Sequence, residues 1–226
     1  MSQVPPTFSP LYRQIKQLLL QSLEAGEWRP GEAIPSETEL AMRFAVSQGT
    51  VRKAIDEMAS ENLLVRKQGK GTFVASHDDP RTSFRFLRLT PIDGKQVASL
   101  SVPLECWRAK AGAEAARVLQ IEAGAPVIIL RRVLKFSAKP VVLDDIYLPG
   151  DMFQGLSLEL LQQNQGSLYS LFETQFGVCI VRAEERLRAI SAERVSAEAL
   201  QVAEGTPLLS AESVTYTYGD KPVEWR

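Results

Sequence analysis

Histidine is nearly absent from this chain. His77 is the single one in 226 residues, and cysteine occurs only at Cys106 and Cys179. So scarce a set offers no Ser/His/Asp triad and no Cys/His metal spacing, and no Gly-rich nucleotide loop is present. Cys106 and Cys179 read as free, buried thiols, and His77 reads as a solvated residue in a polar linker. No apolar run approaches the roughly 20 residues of a membrane helix. The opening MSQVPPTFSP has neither a basic nor an apolar leader region, so no membrane partner is expected and the cytoplasm is the expected compartment. Net charge is only -1, so no overall basicity advertises a polyanionic partner. What is present is an ordinary globular composition, 45% hydrophobic and 23% charged, in a chain long enough for two small domains.

The charge is unevenly placed, and distribution matters more than the sum. From Arg43 to Lys70 the basic residues are Arg43, Arg52, Lys53, Arg66, Lys67 and Lys70, against Asp56, Glu57 and Glu61. The same stretch carries the clearest local signals. A first helix starts near Pro10 with Leu11, Ile15, Leu18, Leu19 and Leu23 at helical spacing and stops at Gly26. Glu27 to Glu32 reads as a turn. Ser36 and Glu39 then form a capping box, opening a short helix with Leu40, Ala41 and Phe44 on its inner side. Ser47 caps a third helix that buries Val51, Ala54, Ile55, Met58 and Ala59. Gln48, Gly49, Thr50, Arg52 and Lys53 face outward from its start. Leu63–Lys67 and Thr72–Val74 flank the turn Gln68-Gly69-Lys70-Gly71, a hairpin with a basic tip. In order, these elements are a helix-turn-helix followed by a wing.

A polar segment, residues 77–83, reads as a linker, so 1–76 and 84–226 are the expected domains. The second reads as α+β with an antiparallel sheet. Strands are expected at Phe84–Leu89, Val97–Trp107, Pro126–Phe136, Pro140–Leu148, Val178–Ile190 and Pro207–Tyr218. Short helices are expected at Gly112–Leu119, Leu158–Gln163, Ser167–Phe176 and Ser196–Leu200, the last capped by Ser196. A repeat stands out within it. LQIEAGAPVIILRRVLKFSAKPVVLDD begins at Leu119 and LQVAEGTPLLSAESVTYTYGDKPVEWR at Leu200. Both read as helix end, Gly-x-Pro, long strand, turn, Pro-Val, strand. The first copy's last strand outlasts the second's, which leads us to expect a strand that continues past Arg226.

The stretches PLYRQIKQLL, GEAIPSETELAMRFAVSQGTVRKAIDEM and RKQGKGTFVAS resemble the GntR family of bacterial repressors. The second domain is similar to the UTRA effector domain of the HutC subfamily, whose fold is shared with chorismate pyruvate-lyase. The resemblance implies a homodimeric transcription regulator that binds a palindromic double-stranded DNA operator under control of a small-molecule effector, with no cofactor and no metal. It implies DNA contacts from Gln48, Gly49, Thr50 and Arg52 and from Gly69 in the minor groove. Arg43, Lys53 and Lys70 are expected at phosphates, which set register rather than sequence, and Lys67 at the wing tip with Ser36 and Ser47 at the helix starts complete the set. Thr38 and Gln48 stand where the family often has Arg; since Arg reads guanine and Gln adenine, the usual operator is not assumed. The effector set implied is Arg132, Ser167, Tyr169 and Glu224. Leu134 stands where the family's sugar-phosphate sensors carry a second Arg, which counts against a phosphosugar; a carboxylate or other small anion paired with Arg132 is the hypothesis that remains. Two other readings stay open at this level, a lyase-like enzyme and a protein-interaction module.

Overall fold

The computed structural model describes residues 9–78 and 99–226, and the chain divides into two compact units, Met1–Ser76 and His77–Arg226. The expected strand at Phe84–Leu89 and the linker beyond Asp78 lie outside the described residues.

In the first unit, α1 (Leu11–Glu24) turns Ile15, Leu19 and Leu23 inward, while Leu11 and Leu18 stay exposed. Helix α2 (Glu37–Phe44) begins at Ser36, whose Oγ accepts from the Glu39 N–H at 3.3 Å while the Ser36 N–H donates to Glu39 Oε2 at 2.8 Å. Both orphan donors of the helix start are thereby satisfied. Helix α3 (Gln48–Ser60) buries Val51, Ala54, Ile55 and Met58 completely. The turn between α2 and α3 rests on Ala45, held left-handed at φ 52°. The Val46 N–H there donates to the Ala41 carbonyl at 3.1 Å.

Strands β1 (Leu64–Lys67) and β2 (Gly71–Val74) form the wing in antiparallel register, Leu64 opposite Val74 and Lys67 opposite Gly71. Gly31 to Ile34, expected as part of a turn and its exit, forms a third ribbon. The Gly31 and Ile34 N–H groups donate to the Val74 and Thr72 carbonyls, and Ala33 bridges Phe73. The wing is thereby tied to the segment that enters α2.

The second unit is a six-stranded antiparallel sheet in the order β3-β4-β5-β8-β7-β6. Its strands are β3 (Ser99–Lys110), β4 (Pro126–Phe136), β5 (Lys139–Pro149), β6 (Arg182–Ser191), β7 (Pro207–Tyr216) and β8 (Pro222–Trp225). The repeat read in the sequence is a structural duplication. Strands 3-4-5 and 6-7-8 are mirrored in the sheet order, and each copy inserts a helix after its first strand, α4 (Ala113–Leu119) and α7 (Arg194–Leu200). The copies match bond for bond. Ala111 N–H donates to Ala125 O and Ala192 N–H to Thr206 O, while Gly124 donates to Ala111 and Gly205 to Ala192. Gln120 and Gln201 both end their helices left-handed. Cys106 pairs with Leu130 as Leu187 pairs with Ala211. Helix α4 packs on β8 and α7 on β5, so each copy's helix lies against the other copy's strand.

The pair α5 (Leu158–Gln163) and α6 (Leu168–Phe176) follows the first copy and packs on its strands and on Val223 of β8. Ile128, Leu130, Ile146 and Leu148 of the sheet pack there with Phe153, Leu161, Leu171 and Phe172.

Three expectations are corrected. His77 is buried rather than solvated, and it belongs to the second unit. Val178 to Val181 precede β6 instead of forming it, and Val178, Cys179 and Ile180 are core residues. The cap of α7 is Glu193, and Ser196 Oγ instead donates to the Glu193 carbonyl at 2.9 Å. A left-handed non-glycine residue costs about 1–2 kcal/mol. Ala45→Gly should therefore stabilise the first unit by about 0.5–1 kcal/mol after the extra unfolded-state freedom of glycine is subtracted, measured as a shifted denaturant midpoint at unchanged slope.

Candidate nucleic-acid interface and effector cavity

The first two turns of α3 present Gln48, Gly49, Arg52 and Lys53 to solvent. Ser47 accepts from the Thr50 N–H at 3.2 Å, and the two hydroxyls lie 2.9 Å apart. The side chains of Ser36, Ser47 and Thr50 therefore serve helix starts, where backbone N–H groups and the helix dipole favour an anion. The basic residues are held in place by neighbours. Arg52 Nε donates to Glu37 Oε2 at 2.9 Å and Gln48 Nε2 to the same oxygen at 3.4 Å. Arg66 reaches Glu37 Oε1 at 2.9 Å and Asp56 at 2.7 Å. Burial opposes ionisation of Glu37, but Arg66 and Arg52 outweigh it and hold the carboxyl below its usual range. A depressed carboxylate stabilises the fold above its unfolded pKa, and that contribution is lost as pH falls through the folded value.

Lys53 Nζ sits 4.1 Å from the Tyr12 ring centroid and Lys67 Nζ 4.4 Å from that of Phe73. Gly69 forms the wing tip with φ 71°, and Lys70 is exposed beside it. Arg43 is drawn elsewhere, into a two-pronged pair with Glu27 and over the Trp28 and Phe44 rings. Exposed ion pairs are worth at most about 1 kcal/mol, so the Glu37–Arg52 contact can be exchanged for a phosphate or base edge at little cost.

In the second unit a cavity of about 620 Å³ opens between the sheet and α5–α6. Alternation along β4 puts Leu130, Arg132 and Leu134 on its wall. Ser167 and Tyr169 line it from the start of α6, where Ser167 caps the helix by accepting from the Ser170 N–H at 3.0 Å. Glu224 is fully buried behind Tyr169, whose phenol donates to it at 3.1 Å. Burial pushes the Tyr169 phenol well above its ordinary value, so it remains a donor. Arg132 pairs with buried Asp144 at 2.9 Å and donates to Ser101 Oγ at 3.3 Å. Burial holds its guanidinium below the ordinary arginine value, with the Arg226 charge acting the same way against the pull of Asp144. The four residues expected from the sequence thus meet at one place, three on the wall and Glu224 behind it.

Sequence reading missed Arg226, Asp144 and His77. Arg226 lines the cavity, pairs with Glu224 at 3.1 Å, and lies 3.6 Å from Asp144. Its Nε is buried without a hydrogen-bond partner. The repeat contained the signal, because Asp144 and Arg226 occupy the same place in PVVLD and PVEWR. His77 lines the cavity as well and meets Glu173 and Cys179 with ligand-type atoms within 4.8 Å of one another. That group is closed by hydrogen bonds. His77 N–H donates to Glu173 Oε2 at 2.9 Å, Nε2 lies 2.8 Å from the Ile180 carbonyl, and the half-buried Tyr218 side chain hydrogen-bonds Cys179.

Comparison with known proteins matches residues 100–226 to the UTRA domain and residues 11–74 to the bacterial regulatory proteins of the gntR family. The chain is 27% identical over 220 residues to the mannosyl-D-glycerate transport/metabolism system repressor MngR of Escherichia coli (strain K12), covering 96% of this chain and 89% of that protein. It is 36% identical over 115 residues to the histidine utilization repressor of Klebsiella aerogenes, covering 42% and 48%. Among solved structures, the ligand-binding domain of a GntR-family transcriptional regulator from Bordetella bronchiseptica is 48% identical, with a TM-score of 0.60 over 62% of this chain and 87% of that one. Two matched domains in this order, one over the winged unit and one over the cavity-bearing sheet, mean that the chain belongs to the GntR family of bacterial transcription regulators, in the HutC-type branch that carries a UTRA effector domain.

Proposed function

We propose that this regulator is a homodimeric repressor that reads a palindromic operator through α3 and the wing and is released or retained by a small organic anion bound beside Arg132 and Arg226. The observation that carries the effector reading is the cavity itself. Two guanidiniums border it, while Leu130, Leu134, Leu161 and Leu168 supply apolar wall. Arg226 contributes the second positive group that Leu134 does not. A carboxylate with an apolar body fits this division, since guanidinium groups bind carboxylates through paired hydrogen bonds. The family is one of transcription regulators, and nothing in the comparisons favours the lyase-like alternative. Among the described residues no helix is long and apolar enough to cross a membrane, and the proposed place of action is the cytoplasm, with the DNA.

The duplication supports the dimer. In the first copy, Cys106, Ile128 and Leu130 are covered by α5 and α6. Their counterparts in the second copy, Leu187, Leu209 and Ala211, share one face of β6 and β7 by register, and among the described residues no helix covers them. Leu187 is 61% and Leu209 70% exposed. A surface built on the pattern of a core, and left bare, suits a second copy of the chain. Two α3 helices related by a twofold axis then read two half-sites, one helical turn of DNA or a multiple apart.

Three outcomes follow from this reading. Arg52→Ala should weaken operator binding by about 1–3 kcal/mol with relaxed specificity, whereas Lys70→Ala should weaken all duplexes alike and reduce the salt slope by about 1; filter binding across a salt series measures both. Arg132→Ala should abolish the thermal shift that a panel of small carboxylates produces in the wild-type chain while leaving operator affinity within about twofold, and an unchanged shift would remove Arg132 from the site. Leu187→Glu combined with Leu209→Glu should sediment as a monomer and lose cooperative operator binding; a dimer of unchanged stability rejects this face as the interface.

A further inference from the structure

His77 is the single histidine of the chain and Cys179 one of its two cysteines. The fold brings the two together. A ring nitrogen of His77, a carboxylate oxygen of Glu173 and the Cys179 sulfur all lie within 4.8 Å of one another, the one such group of metal-ligating atoms among the described residues. They come from the start of the second unit, from α6 and from the segment before β6, so no local motif accounts for the meeting. All three residues are buried, with 6%, 9% and 4% of their surface exposed. Buried charges are paired or coordinate metals, and imidazole, carboxylate and thiolate are the side-chain groups that bind zinc.

The hydrogen bonds around the group hold these side chains in place as ligands are held. His77 Nε2 lies 2.8 Å from the Ile180 carbonyl. A carbonyl only accepts, so Nε2 carries the ring proton and the lone pair of the neutral ring sits on Nδ1. A ring N–H given to a backbone carbonyl is a common support of a metal-ligating histidine. Glu173 Oε2 accepts from the His77 backbone N–H at 2.9 Å, which uses one of about four lone-pair sites on a carboxylate. The Tyr218 side chain hydrogen-bonds Cys179, an outer contact that orients the sulfur. Bonds of about 2.3 Å to sulfur and about 2.0–2.2 Å to nitrogen or oxygen put neighbouring ligands of a tetrahedral zinc roughly 3.3–3.6 Å apart. From separations within 4.8 Å, the three atoms have to close by no more than about 1.5 Å. His77 lines the cavity, which supplies the entry path a buried metal site needs.

We infer that His77, Glu173 and Cys179 form a binding site for a thiophilic divalent transition-metal ion, with zinc the best match. His77 Nδ1, a Glu173 oxygen and Cys179 Sγ are the protein ligands, and water takes the fourth position, as in other three-ligand zinc sites. Thiolate and imidazole select against magnesium and calcium, which take oxygen ligands. Binding breaks the Cys179 S–H bond, forms the sulfur–metal bond and releases the proton to solvent. The ion fastens the start of the second unit to α6 and to the segment before β6. The inference does not rest on the operator or the effector reading.

Cobalt is the probe, because its thiolate complexes absorb in the near-ultraviolet. The full-length chain is prepared without a polyhistidine tag, stripped with EDTA and titrated with Co²⁺ in reducing, chelator-free buffer. Wild type should show a thiolate-to-cobalt charge-transfer band that saturates at a single ion per chain and is bleached by Zn²⁺. Cys106→Ser should keep the band, because Cys179 is then the only thiol. Cys179→Ser should lose it, and His77→Ala and Glu173→Gln should each weaken cobalt binding by at least about tenfold, the lower end of what removing even an outer contact costs. A wild-type or Cys106→Ser chain without the band overturns the inference, as does a band whose affinity is the same in His77→Ala and Glu173→Gln. Should the site variants fail to fold by circular dichroism, zinc-edge X-ray absorption on the Cys106→Ser chain decides. A single sulfur at about 2.3 Å supports the site, and a shell of nitrogen and oxygen alone means an adventitious surface ion and rejects it.

Discussion

The buried charges at the seam between the two half-sheets constrain the effector unit more than any other interaction. Asp144 comes from the first copy and Arg226 from the second, and Arg132 and Glu224 complete the cluster. Burying ionised groups costs several kcal/mol each unless they are paired and hydrogen-bonded. Here each charge has an opposite one within reach, and Tyr169 adds a donor to Glu224. Removing one partner would leave an uncompensated charge between β4, β5 and β8. The cluster therefore ties the duplicated halves together and sets the Arg132 and Arg226 guanidiniums at the cavity wall.

The winged unit handles its charge differently. Glu37 sits at the start of α2, where the helix dipole favours an anion, and gathers Arg52, Arg66 and Gln48 around two oxygens. Arg52 of α3 and Arg66 of β1 are thereby held in place at the surface, so less side-chain freedom remains to be lost when either meets an anion. A near-neutral chain can thus carry a local cationic face without the nonspecific binding that a large net charge brings.

Much of this was legible in the sequence because the signals were local. Ser36 with Glu39, the stop at Gly26 and the apolar spacing of Val51, Ala54, Ile55 and Met58 all act within a few residues. The repeat was legible because duplication preserves punctuation, and it located Arg132 on a long strand. What escaped was non-local. Nothing around Ala33 announces that it will bridge Phe73, and a polar flank hid that His77 is buried against α6. Arg226 and Ser196 were misjudged for opposite reasons. One follows a four-residue strand too short to show a pattern, and the other carries a good capping side chain one turn too late.

The duplication has a further consequence for chemistry. The scaffold offers two equivalent positions on its long strands, yet Arg132 in the first copy corresponds to Ser213 in the second. A symmetric frame therefore carries an asymmetric charge. The first copy's long strand brings a buried guanidinium to the cavity wall, and the matching place on the second offers a neutral hydroxyl. Duplication preserved the backbone and left the side chains at equivalent places free to diverge.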